Sequence, residues 1–209
     1  MANSFDMNPK RLRNKTTGQP GIKVEDGSLL AQIVRRDQKA FRELYMRYLP
    51  RLRQFILRIT HRSDLTEEIL NDTFLTIWEK SCDYAGRSKV STWIFGIAYF
   101  KCLKALERSE RWCSKHSLVS DQETVKLDFN GPDSTAEAGQ LRQRLSGGLM
   151  RLSPEQRMVV ELTYYFGYSY TEIAAVAKCP VNTVKTRMFH ARRKLHEELS
   201  SDFYDSVTD

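Results

Sequence analysis

Between Phe41 and Ile59 the apolar side chains return every three or four positions: Phe41, Leu44, Tyr45, Tyr48, Leu49, Leu52, Phe55, Ile56 and Ile59. That spacing gathers all of them on one stripe of a helix and would scatter them over both faces of a strand, whose period is two. One long amphipathic helix is predicted, preceded by a short stripe of Leu30, Ile33 and Val34. Pro50 lies inside it and lacks the amide that the ladder needs, so a kink or break is expected near Leu49.

The helical period persists along the chain. A third helix from about Asp64 to Lys80, with Ser63 or Asp64 as its cap, turns Ile69, Leu70, Thr73, Phe74 and Ile77 inward and leaves Asp64, Glu67, Glu68 and Asp72 outside. A polar loop from Ser81 to Val90 follows. The fourth helix starts at Ser91, whose hydroxyl can cap it, and passes through Ile94, Ile97, Ala98 and Cys102 to about Glu110, with Trp78 and Trp93 read as core residues. From Ser114 to Ala136 the period vanishes and Ser, Asp, Gln, Asn, Gly and Pro take over, the composition of a linker.

A second block opens with Leu141, Leu145 and Leu149. Ser153-Pro154-Glu155-Gln156 supplies a cap, a proline at the first helical position and a capping-box glutamine; Met158, Val159, Leu162 and Phe166 form the buried face, and Gly167 ends the helix. Ser169 and Glu172 make another capping box, for a short helix through Ile173, Ala174 and Ala177. Cys179-Pro180 then breaks the chain before a last helix from about Val181 to Leu199. No stretch alternates as a strand would, so the predicted fold is all-α, two small helical domains joined by a flexible linker. The expected divisions are a basic arm (1–26), a first domain (27–112), a linker (113–136), a second domain (137–200) and a tail (201–209).

With 41% hydrophobic and 28% charged residues the chain has the apolar area for a core. A net charge of +7 and a pI near 9.3 favour a polyanionic partner, because each cation placed on a phosphate releases counterions. Cys82, Cys102, Cys113 and Cys179 are widely spaced, and no secretory leader or bilayer-length apolar run is seen, so a reduced, cytoplasmic protein without direct membrane insertion is expected. Cys113 and His116 are half of a zinc pattern with no second half, so no metal and no cofactor are expected. Clustered metal-binding carboxylates, a nucleophile-base pair and a glycine-rich phosphate loop are all missing, which argues against an enzyme and a small-molecule substrate.

A short helix, a tight turn and a longer basic helix make a helix-turn-helix, whose second helix enters the major groove. Val184, Met188, Ala191 and Leu195 form its apolar stripe, and between Val181 and Leu195 stand five Lys or Arg and no acid. Ordinary exposed helices mix the two signs. Asn182, Thr183, Lys185, Thr186, Arg187 and His190 are candidates for bases and phosphates, and Arg192, Arg193 and Lys194 for phosphates.

These residues also carry a resemblance. Leu152 to Arg157, Tyr170 to Ala174, and Val181 to Arg187 continuing through Ala191-Arg192 to Leu195 resemble region 4 of extracytoplasmic-function sigma factors. Glu67 to Trp78 resembles their region 2.2, and Ser91 to Ala98 the start of their downstream recognition helix. On these blocks, spanning Ser28 to Glu110 and Leu141 to Leu199, the chain is identified as a member of that family (group IV).

The resemblance implies a promoter-recognition subunit of RNA polymerase. Its second domain would read the −35 element. Its third helix would dock on core polymerase through Glu67, Glu68, Asn71 and Asp72. The following loop and helix would capture the −10 element through Tyr84, Arg87, Lys89, Ser91, Lys101, Lys104 and Arg108. An anti-sigma factor is the implied regulator. Asn182 replaces the usual Gly, and Tyr99-Phe100 stands where Arg-Asn is common, which leaves the −10 preference open. The competing reading is a helix-turn-helix regulator acting without core polymerase; the receiver-type α/β pattern it would often carry is missing.

Overall fold

The computed structural model describes residues 25–116 and 144–205, with side chains for 25–111 and 144–199. Most of the expected arm, linker and tail, Leu141, and the side chains of Cys113 and His116 lie outside the described residues. Everything regular among the described residues is helical: α1 (Asp26–Val34), α2 (Gln38–Thr60), α3 (Ser63–Lys80), a 3₁₀ turn (Ser81–Asp83), α4 (Val90–His116), α5 (144–150), α6 (Pro154–Val160), a π turn (Glu161–Tyr165), α7 (Tyr170–Ala177) and α8 (Val181–Asp205).

The stripe on α2 goes inward as its spacing requires: Leu44, Leu52, Phe55, Ile56 and Ile59 are fully buried, with Phe41, Tyr45 and Leu49 packed at the edge. α2 nevertheless passes Pro50 without a break. Pro50 and Met46, whose carbonyl loses its usual donor, both stand on the exposed side of the helix, so the orphaned acceptor is left near water. In α1 the inward residues are Leu29, Leu30 and Ile33, and Val34 is exposed, a correction to the stripe read there. Asp37 caps α2, accepting from the Lys39 and Ala40 amides, and the chain leaves α2 through His61 in the left-handed region.

Two other helix starts differ from expectation. α3 begins at Ser63 with Arg62 before it and no side-chain cap; Asp64 instead takes the Arg62 guanidinium at 2.6 and 2.8 Å. α4 begins at Val90, where the Lys89 carbonyl accepts from Trp93, so Ser91 stands inside the first turn. α4 also runs on to His116, past the boundary at Trp112. Both capping boxes of the second block, Ser153 with Gln156 and Ser169 with Glu172, form in full.

The two domains pack against each other. Two helical domains were expected from periodicity, which left their mutual packing open, and the buried residues of both form one continuous cluster. Phe55 of α2, Phe95 of α4 and Phe166 after the π turn meet with ring centroids 5.0, 5.8 and 5.1 Å apart. A Cβ added at Gly96 of α4 would lie 3.4 Å from the Val176 carbonyl oxygen of α7.

Candidate nucleic-acid interface

α7, the turn at Lys178 to Pro180, and α8 form the helix-turn-helix. Ser169 fixes where α7 begins, and Lys178, in the left-handed region, donates its amide to Ala174 and ends it. Val184, Met188 and Ala191 are buried, which fixes the rotation of α8. At 100° per residue the face opposite that stripe carries Asn182, Thr186, Phe189 and Arg193, with Lys185 at its edge, all exposed. Thr183, Arg187, His190 and Lys194 lie on its flank and are half-buried. Arg192 is exposed but its guanidinium donates to the Tyr164 hydroxyl at 3.1 and 2.7 Å, and Arg187 points back toward Cys179.

Phe189 was absent from the candidates read in the sequence, and it is 63% exposed on the outward face. Its signal was available: it lies three and four positions beyond Thr186 and Lys185 and off the apolar stripe.

In the first domain Tyr84 folds back, its hydroxyl donating to the Ser88 carbonyl and its ring 5.5 Å from that of Trp93. Trp93 and Trp78 are both half-buried, so the core role read for them holds only in part. Tyr99 is core, whereas Phe100 is exposed with the Lys178 ammonium 5.2 Å from its ring. Arg87 and Lys104 are exposed, and Ser91 is half-buried. Lys89 is exposed and bound to Glu172 of α7 at 2.7 Å; that hydrogen bond raises the lysine's pKa and lowers the carboxyl's.

The acidic face of α3 is interleaved with the cations assigned to the −10 element. Asp72 pairs with Lys101 at 3.4 Å, Glu68 with Arg108 at 2.6 Å and Glu67 with Arg53 of α2 at 2.9 Å. Two sites read separately in the sequence thus share one surface. Pairs this exposed contribute about 0–1 kcal/mol each, so an incoming partner can replace them at little cost. Asn71 borders an open apolar groove of about 350 Å³ lined by Phe41, Tyr45, Phe74, Leu75 and Trp78. No cluster of three or more His, Cys, Asp or Glu suited to a metal occurs among the described residues, and none of the described helices is long and apolar enough to cross a membrane.

Residues 44–112 match the family model for sigma-70 region 2, and residues 142–195 match that for sigma-70 region 4. The ECF RNA polymerase sigma factor SigK of Mycobacterium ulcerans is 28% identical over 186 residues, 88% of this chain and 99% of its own. The ECF sigma factor RpoE of Cereibacter sphaeroides is 29% identical over 172 residues, 79% of this chain and 89% of its own. Among solved structures, RpoE of Bartonella quintana in complex with the anti-sigma factor NepR superposes with a TM-score of 0.63 at 25% identity, over 78% of this chain and 99% of that one. CnrH in complex with the cytosolic domain of CnrY gives 0.61 at 26%, over 85% and 98%. With region 2 and region 4 together covering more than half of the chain, in that order on two packed helical domains, the chain belongs to the sigma-70 family and is a sigma factor of the ECF kind.

Proposed function

We propose that this chain is a cytoplasmic group IV sigma factor that binds core RNA polymerase and brings it to promoters by reading two elements. The observation that carries the −35 assignment is the outward face of α8, where Asn182, Lys185, Thr186 and Arg193 are exposed together and no carboxylate lies between Val181 and Leu195. Capping and the buried stripe hold that face in one rotation, as groove reading requires. Phe189 adds an apolar contact suited to a thymine methyl. Thr183, Arg187, His190, Arg192 and Lys194 serve phosphates and the flanks.

The first domain takes the −10 element with Tyr84, Arg87, Lys89, Ser91, Lys101, Lys104 and Arg108. The loop holding Tyr84 and Arg87 supplies the aromatic and cationic groups that an unpaired base and its backbone need. Glu67, Glu68, Asn71 and Asp72, with the groove beside Asn71, form the docking face for core polymerase. An anti-sigma factor covers the chain when it is idle, as NepR and the CnrY domain accompany its structural neighbours.

The test is transcription from a genomic fragment library by purified core polymerase with and without the chain. Discrete new start sites sharing paired upstream elements are expected. No new starts from a folded chain free of inhibitors would overturn the reading in favour of a regulator that acts without core polymerase.

A further inference from the structure

Arg192 of α8 is exposed, and both its Nε and one terminal nitrogen donate to the Tyr164 hydroxyl, at 3.1 and 2.7 Å. The guanidinium carbon stands 5.9 Å from the centre of the same ring. Tyr164 belongs to the π turn that follows α6, and its ring is half-buried against the core, so its hydroxyl is a fixed point at the surface. A long exposed arginine ordinarily samples many rotamers, an entropy that any ligand must offset. Here one edge of the planar fork is already held.

The donor count shows what the pair can do. Two of the five guanidinium N–H groups are engaged by Tyr164, and the others point to a further acceptor. The hydroxyl accepts both of those bonds, so its own hydrogen remains to be donated. Tyr164 and Arg192 therefore present an O–H and several N–H groups side by side, and α8 carries no carboxylate between Val181 and Leu195 to take them. A tetrahedral anion with two free oxygens matches that edge.

Placement on α8 says which anion. At 100° per residue Arg192 lies within about 20° of Lys185 and about 10 Å further along the helix, on one side of the outward face. Thr183, Arg187, His190 and Lys194 lie on the other side. A helix seated in the major groove has a sugar-phosphate strand along each flank, and α8 offers donors to both.

We propose that Tyr164 and Arg192 form a clamp for one backbone phosphate of the −35 element. The tyrosine both positions the guanidinium and donates its hydroxyl to the same phosphate. This rests on the promoter reading above. Phosphate contacts fix register and carry no base information. The clamp thus sets how α8 sits in the groove, tying it to the π turn, while Asn182, Thr186 and Phe189 face the bases.

The test is binding of the chain's complex with core polymerase to a promoter duplex recovered from the fragment library, across a salt series. Tyr164→Phe removes one oxygen and no charge, so affinity should fall about tenfold with the slope of log K against log salt unchanged. Arg192→Ala should lower that slope by about 0.9. Adding Tyr164→Phe to Arg192→Ala should weaken binding by much less than it does alone, because the two side chains act on one group. Single methylphosphonates walked through the −35 strands give a readout that a merely structural role would not move: one position should weaken the wild type and leave both single variants nearly unaffected. A Tyr164→Phe chain that binds as tightly as the wild type, or a methylphosphonate profile that is the same in all three proteins, overturns the clamp and leaves the sigma assignment standing. A wild-type complex that initiates at no promoter removes the promoter reading and the clamp with it.

Discussion

At the residue scale the contact between the domains buries groups that titrate. His61 ends α2 with a φ of 52°, is 5% exposed, and has no hydrogen-bond partner on either ring nitrogen. Burial, with Arg157 and Arg58 beside it, pushes its pKa down to about 3, so the native ring is neutral. A depressed histidine favours the folded state fully above its ordinary value of 6.5, and that stability is lost as pH falls from there toward 3. Glu161 works in the opposite sense, because burial raises its carboxyl and proton uptake from above 4.5 favours the folded state. The histidine by itself costs on the order of 2 kcal/mol between pH 6.5 and 5, which Glu161 offsets in part. His61→Asn keeps a residue that tolerates positive φ and removes the titration. Urea unfolding at pH 7.5 and pH 5 should show a marked acid loss in the wild type and none in the variant; equal losses would show that the acid sensitivity arises elsewhere. Arg157→Lys tests the other side of the seam. One ammonium cannot reach four carbonyls that a planar fork serves, so a loss of about 3 kcal/mol in the same assay is expected. None of these partners was legible in the sequence, where Arg58, Arg157 and Glu161 look like ordinary surface charges and only the folded seam removes them from water.

Elements were legible where local chemistry decides them. Ser153 with Gln156 and Ser169 with Glu172 specify their helix starts through bonds within four residues, and both boxes form as the spacing required. Each serine's replacement by alanine should cost about 1 kcal/mol in urea unfolding. The double variant should lose about 2 kcal/mol, because the two caps share no partner. Ser169→Ala carries a further consequence, since α7 sets the position of α8: binding of the polymerase complex to the −35 element should weaken, which Ser153→Ala should not reproduce. Where position depends on more than local bonds the sequence was less informative. Ser63 and Ser91 were reasonable caps by residue type, yet α3 and α4 start at or before them, and Pro50 left α2 whole because its lost bond faces outward. The outward face of α8 was readable from the apolar stripe alone, and Phe189 was missed only because charge guided the selection.

For the whole molecule, helix order and the division into two domains followed from periodicity, but their packing against one another did not. Contacts between Arg58 and Glu161, or Gly96 and Val176, are made across a stretch whose composition says only that it joins. The two kinds of charge pair at this scale should respond differently to salt. Lys89–Glu172, Arg108–Glu68 and Arg53–Glu67 have at least one partner well exposed and are screened within a Debye length of ~10 Å at 0.1 M and ~3 Å at 1 M. Arg58–Glu161 is buried, with side-chain exposures of 6% and 3%, where mobile ions do not reach. Raising NaCl from 0.1 to 1 M should therefore leave the radius of gyration of the free chain within a few per cent. Over the same range the association of its complex with core polymerase to promoter DNA should collapse, with Lys185→Ala lowering the slope of log K against log salt by about 0.9 if that side chain neutralises one phosphate. A chain that swells in salt would be held by its exposed pairs, and the buried pair would then be a passenger in the packing of the two domains.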